Sequence, residues 1–454
     1  MLVYFINHSV APVNLGGAER SMIKLVEDWY ASDPEFEAFF ITKAPRGQFI
    51  SAIEERGWKY RAFPYRGWLL HKADSRQSEI TFAAHHDYAS TLGIIELMES
   101  RRPDLVVTNT IVAPWGAFAA KTLGIPHAWF VREYGDLDHG LSFQNGRANT
   151  FADIGLMSEA VFTNSLAMKS HIGQYMDESK ISVVYPQLHI DQLKRDAAGQ
   201  LGDVPFPQTD PGLRITVVGR LSESKGQRRV VEAVGALKKR GVTASVCLVG
   251  SATDPDYDVL LMRRARELGV EEHVTLVGEQ TNPAPFIAAA DICVTPSDIE
   301  AFGRTTLEAM ALGKPVIASS AGGSAELVAD CETGRLFDVD NSELLAEHLQ
   351  YYATQPDLVL THGAAAEARA QQLMSREFSN AAAIERLVET ASAPAYRLPS
   401  MARYWFDLPS RYFSARHAPQ FAVGFVVNRL SARARGFALR PINAIRRLRL
   451  TSDR

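Results

Sequence analysis

ICVTPSDIEAFGRTTLEAMALGKPVIASS, residues 292–320, reads as one β-α-β unit. The run ICVTP (292–296) is apolar and β-branched, as a strand covered on both faces is. A loop then carries Asp298 and Glu300, and a helix is expected from near Phe302 to Leu312. Gly313 and Pro315 end that helix before the next strand, PVIASS (315–320). Strands joined in this way lie parallel, so the fold class turns on whether the pattern recurs.

It recurs in both directions. LRITVVG (213–219), ASVCLVG (244–250) and VTLVG (274–278) are further strands, each followed by a helix-like segment, which makes 213–374 one doubly wound domain. Residues 1–186 repeat the alternation, with strands expected at 2–8, 37–43, 59–64, 104–109, 127–133, 160–164 and 181–185. A helix over 17–30 sets Ile23, Leu25, Val26 and Trp29 on one face. Between the two domains, 187–212 turns polar and ends in VPFPQTDPG, whose prolines suit a linker. A closing helix is expected within 375–394, and a basic tail follows at 395–454. The expected fold is thus α/β, with two doubly wound Rossmann-like domains facing an inter-domain cleft, where ligands bind beyond the carboxyl ends of the strands.

Length and composition agree with this division. A chain of 454 residues exceeds what one core usually supports, and 46% hydrophobic with 22% charged residues is ordinary globular usage. Cys247, Cys293 and Cys331 have neither paired spacing nor an even count, and are expected as reduced thiols. The N-terminus has no secretory pattern and no apolar run reaches membrane-spanning length, so a cytoplasmic location is expected. The net charge of −4 conceals a strong asymmetry. From residue 391 onward there are twelve arginines and two aspartates, so the tail carries about +10 and the body is acidic.

Four groups of residues point to chemistry. Glu300 and Glu308 are separated by seven residues, about 12 Å on a helical rise, and could grip two hydroxyl-bearing groups. Alone, such a pair reads more simply as a helix-start acid and a solvated face. The first-turn N–H groups of the helix between them suit a diphosphate. In VVGRLSESKGQ (217–227), Arg220 and Lys225 follow Gly219 at a strand end, where a planar fork and a point charge can meet one anion. In NLGGAER (14–20), Gly16 and Gly17 permit close approach and unusual φ before the first helix. In HAWFVREYGDLDHG (127–140), Arg132 and Glu133 end a strand, and Asp136 and Asp138 have a DxD spacing. No GxGxxG follows the first strand of either domain, and no GxSxG or Walker A pattern occurs.

The segment 296–319 resembles the E-x7-E motif of the family 4 retaining glycosyltransferases, which have the GT-B fold. Their usual pattern is P-S-x-x-E-G-F-G-x-x-x-L-E-A-M-A-x-G-x-P-V-I, and this chain departs from it at Ala301, where Gly is usual. VVGRLSESKGQ resembles the G-R-L-x-x-x-K-G segment of the same family, and AGGSAELV (321–328) its following loop, through Gly322, Gly323 and Glu326. NLGGAER and VFTNSLAMKSHI (161–172) are looser echoes.

The resemblance implies transfer of a sugar, with retention, from a nucleotide-sugar donor to a glycan or lipid-linked acceptor. The nucleotide-sugar would be a substrate, so no cofactor is expected, and no metal. Arg220 and Lys225 would stabilise the leaving diphosphate, Glu300 contact the transferred sugar and Glu308 the ribose. Glu133 would lie close to the reacting sugar, and Gly16, Gly17, Gly219, Phe302 and Gly303 along the donor. The rivals are a sugar-nucleotide epimerase of the same architecture and a non-catalytic partner subunit. The tail, with Arg429, Arg433, Arg440 and Arg447 among apolar residues, is expected to lie on an anionic membrane surface, and no nucleic-acid partner is expected.

Overall fold

The computed structural model describes residues 1–11, 15–71, 77–199, 201, 205–253, 256–374 and 376–399. The tail expected at the membrane falls outside these residues from 400 onward. The N-terminal lobe contains β1 (Leu2–Asn7), β2 (Glu37–Thr42), β3 (Lys59–Ala62), β4 (Leu69–His71), β5 (Leu105–Thr108), β6 (His127–Val131), β7 (Leu141–Phe143), β8 (Ala160–Thr163) and β9 (Ile181–Val183). The C-terminal lobe contains β10 (Leu213–Val218), β11 (Ala244–Val249), β12 (Val274–Gly278), β13 (Ile292–Thr295), β14 (Val316–Ser319) and β15 (Gly334–Phe337). The first sheet runs β3-β2-β1-β5-β6-β8-β9 and the second β12-β11-β10-β13-β14-β15, all parallel.

Burial explains why these sequences are strands. In β1, Val3 and Phe5 enter one hydrophobic cluster while Tyr4 and Ile6 enter another on the opposite face, so both faces of the strand are covered. In β11, Val246 and Leu248 face one cluster and Cys247 and Val249 the other. Cys247 and Cys293 are buried thiols, Cys331 is exposed, and all three are free.

The structure differs from the sequence expectation in several places. The ladders stop before His8, Lys43, Asn109, Arg132 and Asn164, each expected inside a strand. These polar residues leave the sheet because the ends of both sheets open onto a cleft. Two short strands, β4 and β7, pair antiparallel as Leu69↔Phe143 and Leu70↔Ser142, and β15 adds an edge that was not anticipated. Three-residue strands carry too little period-two pattern to be recognised. The segment 187–212 contains a helix, Ile190–Ala197, whose Ile190 and Leu193 pack onto the C-terminal lobe.

The closing helix, Asn380–Ala391, returns to the N-terminal lobe. Its Ala383, Ile384 and Leu387 join the cluster that holds Phe130 and Phe162. Ser379 caps it by accepting from Ala382 N–H. Where the two crossing chains meet, Tyr185 stacks on Phe378 with centroids 4.5 Å apart, and its N–H donates to the Phe378 carbonyl at 3.0 Å. Among the described residues, no helix is long and apolar enough to cross a membrane.

Leu387 is fully buried, whereas Val388 is 45% exposed. Leu387→Ala should destabilise the protein by about 2–5 kcal/mol in chemical denaturation. Val388→Ala should stay within about 0.5 kcal/mol. Equal effects would contradict the docking of this helix on the N-terminal lobe.

Candidate functional site

Two loops of the C-terminal lobe build one wall of the cleft. The loop after β10 reaches Gly226, which has φ +70° and lies so close to the Pro296 carbonyl that a Cβ would stand 2.0 Å from its oxygen. Asp298 N–H donates to the Ser224 carbonyl at 2.9 Å, and Arg229 pairs with Asp298 at 2.6 Å. The loop after β10 and the loop after β13 are therefore one unit. Their charged ends meet: Lys225 Nζ donates to Glu300 Oε1 at 2.6 Å, and Ser297 Oγ donates to the same oxygen at 2.6 Å. Each side chain of the pair keeps just under a fifth of its surface exposed.

A third loop holds Glu300 from behind. Gly323 N–H donates to the Glu300 carbonyl at 2.7 Å, and Gly322, at φ +68°, would place a Cβ 2.2 Å from that carbonyl oxygen. Gly303, at φ +93°, starts the helix Arg304–Ala311, and a Cβ there would stand 2.3 Å from Ser324 Oγ. Glu300 precedes this helix, so a helical rise does not measure its distance to Glu308. That expectation is corrected by the bridge between Glu300 and Gly322.

The cavity enclosed by the two lobes has a volume of about 740 Å³. Arg220, Lys225, Glu300, Phe302 and Gly303 line it, together with Arg304. From the N-terminal lobe come Gly16, Gly17, Arg132 and Glu133, with His8, Lys43, Arg66 and His139. Gly219 and Glu308 are not on this wall. Gly219 N–H stays in a strand-end bond to the Val249 carbonyl, and Glu308 sits one turn down the helix, paired with Arg304 at 2.9 Å. Gly16 has an ordinary φ of −74°, so the expected unusual backbone is absent there. Space is what it provides, since a Cβ would meet Glu19 Oε2 at 2.6 Å, whereas Gly17 faces open space.

Six cations line the cavity against four acids. Three of those acids are already engaged, because Glu300 holds Lys225, Asp138 accepts from Tyr134 and Gly135 N–H at 2.9 and 2.8 Å, and Glu133 accepts from Ile111 N–H at 3.3 Å. Asp136 pairs with Arg147. Asp136 and Asp138 are thus committed to neighbouring groups rather than to each other. Among the described residues no group of three or more His, Cys, Asp or Glu is arranged to hold a metal.

Desolvation deep in the cleft pushes the Glu133 carboxyl up to about 7, with the Asp138 charge adding to it and the Ile111 N–H opposing it. Arg132, which donates to Asn109 Oδ1 at 2.9 Å, is pulled down to about 10 by desolvation despite Glu133 and Glu19. His8 is pulled down to about 3, first by desolvation and then by Lys43 and His139. Arg220 lies 3.1 Å from His139 Nδ1 across the cleft. His8, His139, Lys43, Arg66 and Arg304 were missed by sequence reasoning. The available signal for three of them was position: His8, Lys43 and Arg66 lie just beyond β1, β2 and β3.

Ala301, where the resembled pattern has Gly, packs its methyl toward the cluster of Leu69 and Ile111 in the facing lobe. A second tie crosses nearby. Glu326 accepts from Leu166 and Ala167 N–H at 3.1 and 2.9 Å, capping a helix of the N-terminal lobe.

The raised Glu133 carboxyl gives a signed expectation. Between the ordinary carboxylate range and about pH 7, the folded chain keeps a proton that the unfolded chain has released, so stability falls as pH rises through that window. Glu133→Gln should flatten this part of a stability–pH curve, and carbon-13 NMR of the Glu133 carboxyl should titrate near 7. A curve of unchanged slope would contradict the assignment.

The sequence model of the family described as "Glycosyl transferases group 1" matches residues 207–369, which is the C-terminal lobe. The lipopolysaccharide core biosynthesis glycosyltransferase LpsE of Rhizobium meliloti is 25% identical over 334 residues, covering 72% of this chain and 88% of that protein. The D-inositol 3-phosphate glycosyltransferase of Mycolicibacterium smegmatis is 31% identical over 48% of each chain, and that of Segniliparus rotundus 30% identical over 40% of this chain and 41% of its own. The chain thus spans less than half the length of these inositol-phosphate relatives. Among solved structures, HepE of Anabaena in complex with UDP superposes with a TM-score of 0.68 at 22% identity, covering 86% of this chain and all of that one. A glycosyltransferase of Rickettsia africae superposes with a TM-score of 0.65 at 20% identity, over 86% and 98%. The chain has the GT-B fold, and the match of its C-terminal lobe, with the relatives named, supports a place in the group 1 glycosyltransferases.

Proposed function

We propose that this chain is a glycosyltransferase that moves a sugar from a nucleotide-diphosphate donor to an acceptor hydroxyl, with retention at the anomeric carbon. The observation that carries the reading is the convergence of Arg220, Lys225, Glu300 and Arg304 on one cleft wall, opposite Arg132 and Glu133. A diphosphate seated there meets a guanidinium fork, an ammonium and the start of the helix Arg304–Ala311. Its charge, growing as the sugar departs, is what these groups oppose, so the charge a divalent ion would offer is available from side chains.

The Lys225–Glu300 bond is part of this reading. As a diphosphate draws Lys225 toward itself, Glu300 is released to accept from a sugar hydroxyl. The acceptor oxygen forms its bond to the anomeric carbon as the bond from that carbon to the diphosphate breaks. The acceptor's proton passes to the departing phosphate oxygen on the same face, which is how retention would arise without a protein nucleophile. The structures of Anabaena HepE with UDP and with UDP-glucose favour a uridine donor as the first to test.

A thermal-shift screen against UDP-, GDP-, ADP- and dTDP-linked sugars should find one family that raises Tm. With that donor, Lys225→Ala should lower kcat/KM by roughly 10²–10³-fold, the usual cost of losing one charge-stabilising donor. Donor consumption that ignores added acceptors would favour an epimerase, and no consumption by the wild type would favour a non-catalytic subunit. The arginine-rich tail is proposed to lie on an anionic membrane, supported by its interleaved arginine and apolar residues. Flotation with anionic liposomes should therefore recover the full chain but not a version ending at Ala393, and equal recovery would refute it.

A further inference from the structure

The carboxyl edge of the first sheet carries a series of hydrogen bonds that the donor chemistry above does not use. In the strand order β1-β5-β6-β8, Asn7 ends β1, Asn109 follows β5, Arg132 follows β6 and Asn164 follows β8. Val131 and Thr163 are paired, so Arg132 and Asn164 are the first residues past the ladder on neighbouring strands. Asn109 Nδ2 donates to Asn7 Oδ1 at 3.3 Å, Arg132 Nε donates to Asn109 Oδ1 at 2.9 Å, and Asn164 Nδ2 donates to the Arg132 carbonyl at 3.1 Å. The series ends on an atom with nothing to bond.

Asn164 lines the cleft cavity and is 6% exposed, yet among the described residues its Oδ1 has no hydrogen-bond partner. A carbonyl only accepts, so the amide nitrogen of Asn164 must face Arg132 and the oxygen cannot take its place. The backbone is held as firmly. Ser165 Oγ caps the helix Leu166–Gly173 by accepting from Met168 N–H at 2.9 Å, and the next free N–H groups, of Leu166 and Ala167, donate to Glu326. Asn164 stands between a strand and a capped helix, without slack to turn toward another donor. A buried amide oxygen left unpaired is unfavourable, and on a cavity wall it is satisfied when a ligand brings the donor.

The surroundings narrow what that donor is. Val184 N–H donates to the Thr163 carbonyl at 2.8 Å, which sets Asn164 beside Tyr185 and Pro186. Tyr185 packs on Phe302 with ring centroids 5.3 Å apart, and Pro186, Phe302 and Gly303 line the same cavity. This part of the N-terminal lobe therefore abuts the start of the helix Arg304–Ala311, where the diphosphate is proposed to sit. A phosphate oxygen offers no hydrogen to an amide oxygen, whereas the sugar hydroxyls beside it do. Glu308, which the resemblance assigns to the ribose, lies one turn down that helix and off the cavity wall, so the nucleoside points away from the N-terminal lobe and the transferred sugar toward it.

We propose that Asn164 Oδ1 accepts from one hydroxyl of the transferred sugar and thereby selects which nucleotide-sugar this chain uses. This rests on the glycosyltransferase reading and assigns sugar selection within it to the lobe opposite the diphosphate-binding cations.

Isothermal titration of the full-length protein tests it with the nucleotide-sugar that the thermal-shift screen selects, with forms of that donor singly deoxygenated at each sugar hydroxyl, and with the free nucleoside diphosphate. The wild type should bind one deoxygenated form at least about tenfold more weakly than the parent, because that form leaves Oδ1 unpaired. Asn164→Ala should bind the parent at least about tenfold more weakly and no longer distinguish it from that form, while its affinity for the nucleoside diphosphate changes less than about threefold. Asn164→Ser, too short to reach the sugar, should behave as the alanine variant does, and Asn164→Asp, which keeps an accepting oxygen, should retain the preference for the parent. The proposal fails if the wild type binds every deoxygenated form as tightly as the parent, if the preference survives in the alanine or serine variant, or if affinity for the nucleoside diphosphate falls in parallel. Absence of any binding of nucleotide-sugar or nucleoside diphosphate to the wild type would instead overturn the underlying reading.

Discussion

Both sheets are parallel, and both end at the same cleft. That constraint organises the molecule. A parallel strand is covered on its two faces, so its middle positions are mostly apolar and charged side chains gather where the ladder stops. At the carboxyl end the chain must turn, backbone groups become free, and charged residues can be accommodated. His8, Lys43, Arg132, Arg220 and Glu300 all emerge at or shortly after such ends. Packing the lobes end to end then concentrates charge from two independent sheets into one volume.

Concentrated charge needs compensation, and part of it is supplied inside the cleft. Lys225 is held by Glu300, Arg304 by Glu308, and Arg220 by His139. Glu133 and His8 respond differently, since desolvation drives each toward its neutral form. The cleft is thus built from engaged charges on the C-terminal wall and from groups driven toward neutrality on the N-terminal wall.

Three of the places where the lobes are fastened have no common sequence motif. The last helix leaves the C-terminal lobe and inserts Leu387 into the N-terminal core. Glu326 caps a helix across the boundary, and Ala301 packs toward the opposite lobe. Glu326 and Ala301 lie within the same connected group of loops as Glu300, through the Gly322 and Gly323 contacts.

Local pattern was enough for the alternating strands and helices, because apolar runs of period two and helical stripes are written in neighbouring residues. It also located the loops bearing Arg220, Lys225 and Glu300, since Gly226, Gly303 and Gly322 occupy left-handed backbone that the neighbouring carbonyls and side chains reserve for glycine. The brief β4–β7 pairing, the return of the final helix and the seclusion of Glu308 from the cavity depended on groups far apart in the chain. So did the meeting of His139 with Arg220. Sequence determines which residues stand at strand ends, but only the packing of one sheet against the other decides which of those ends share a cavity, because electrostatic and hydrogen-bond partners are chosen by distance in space.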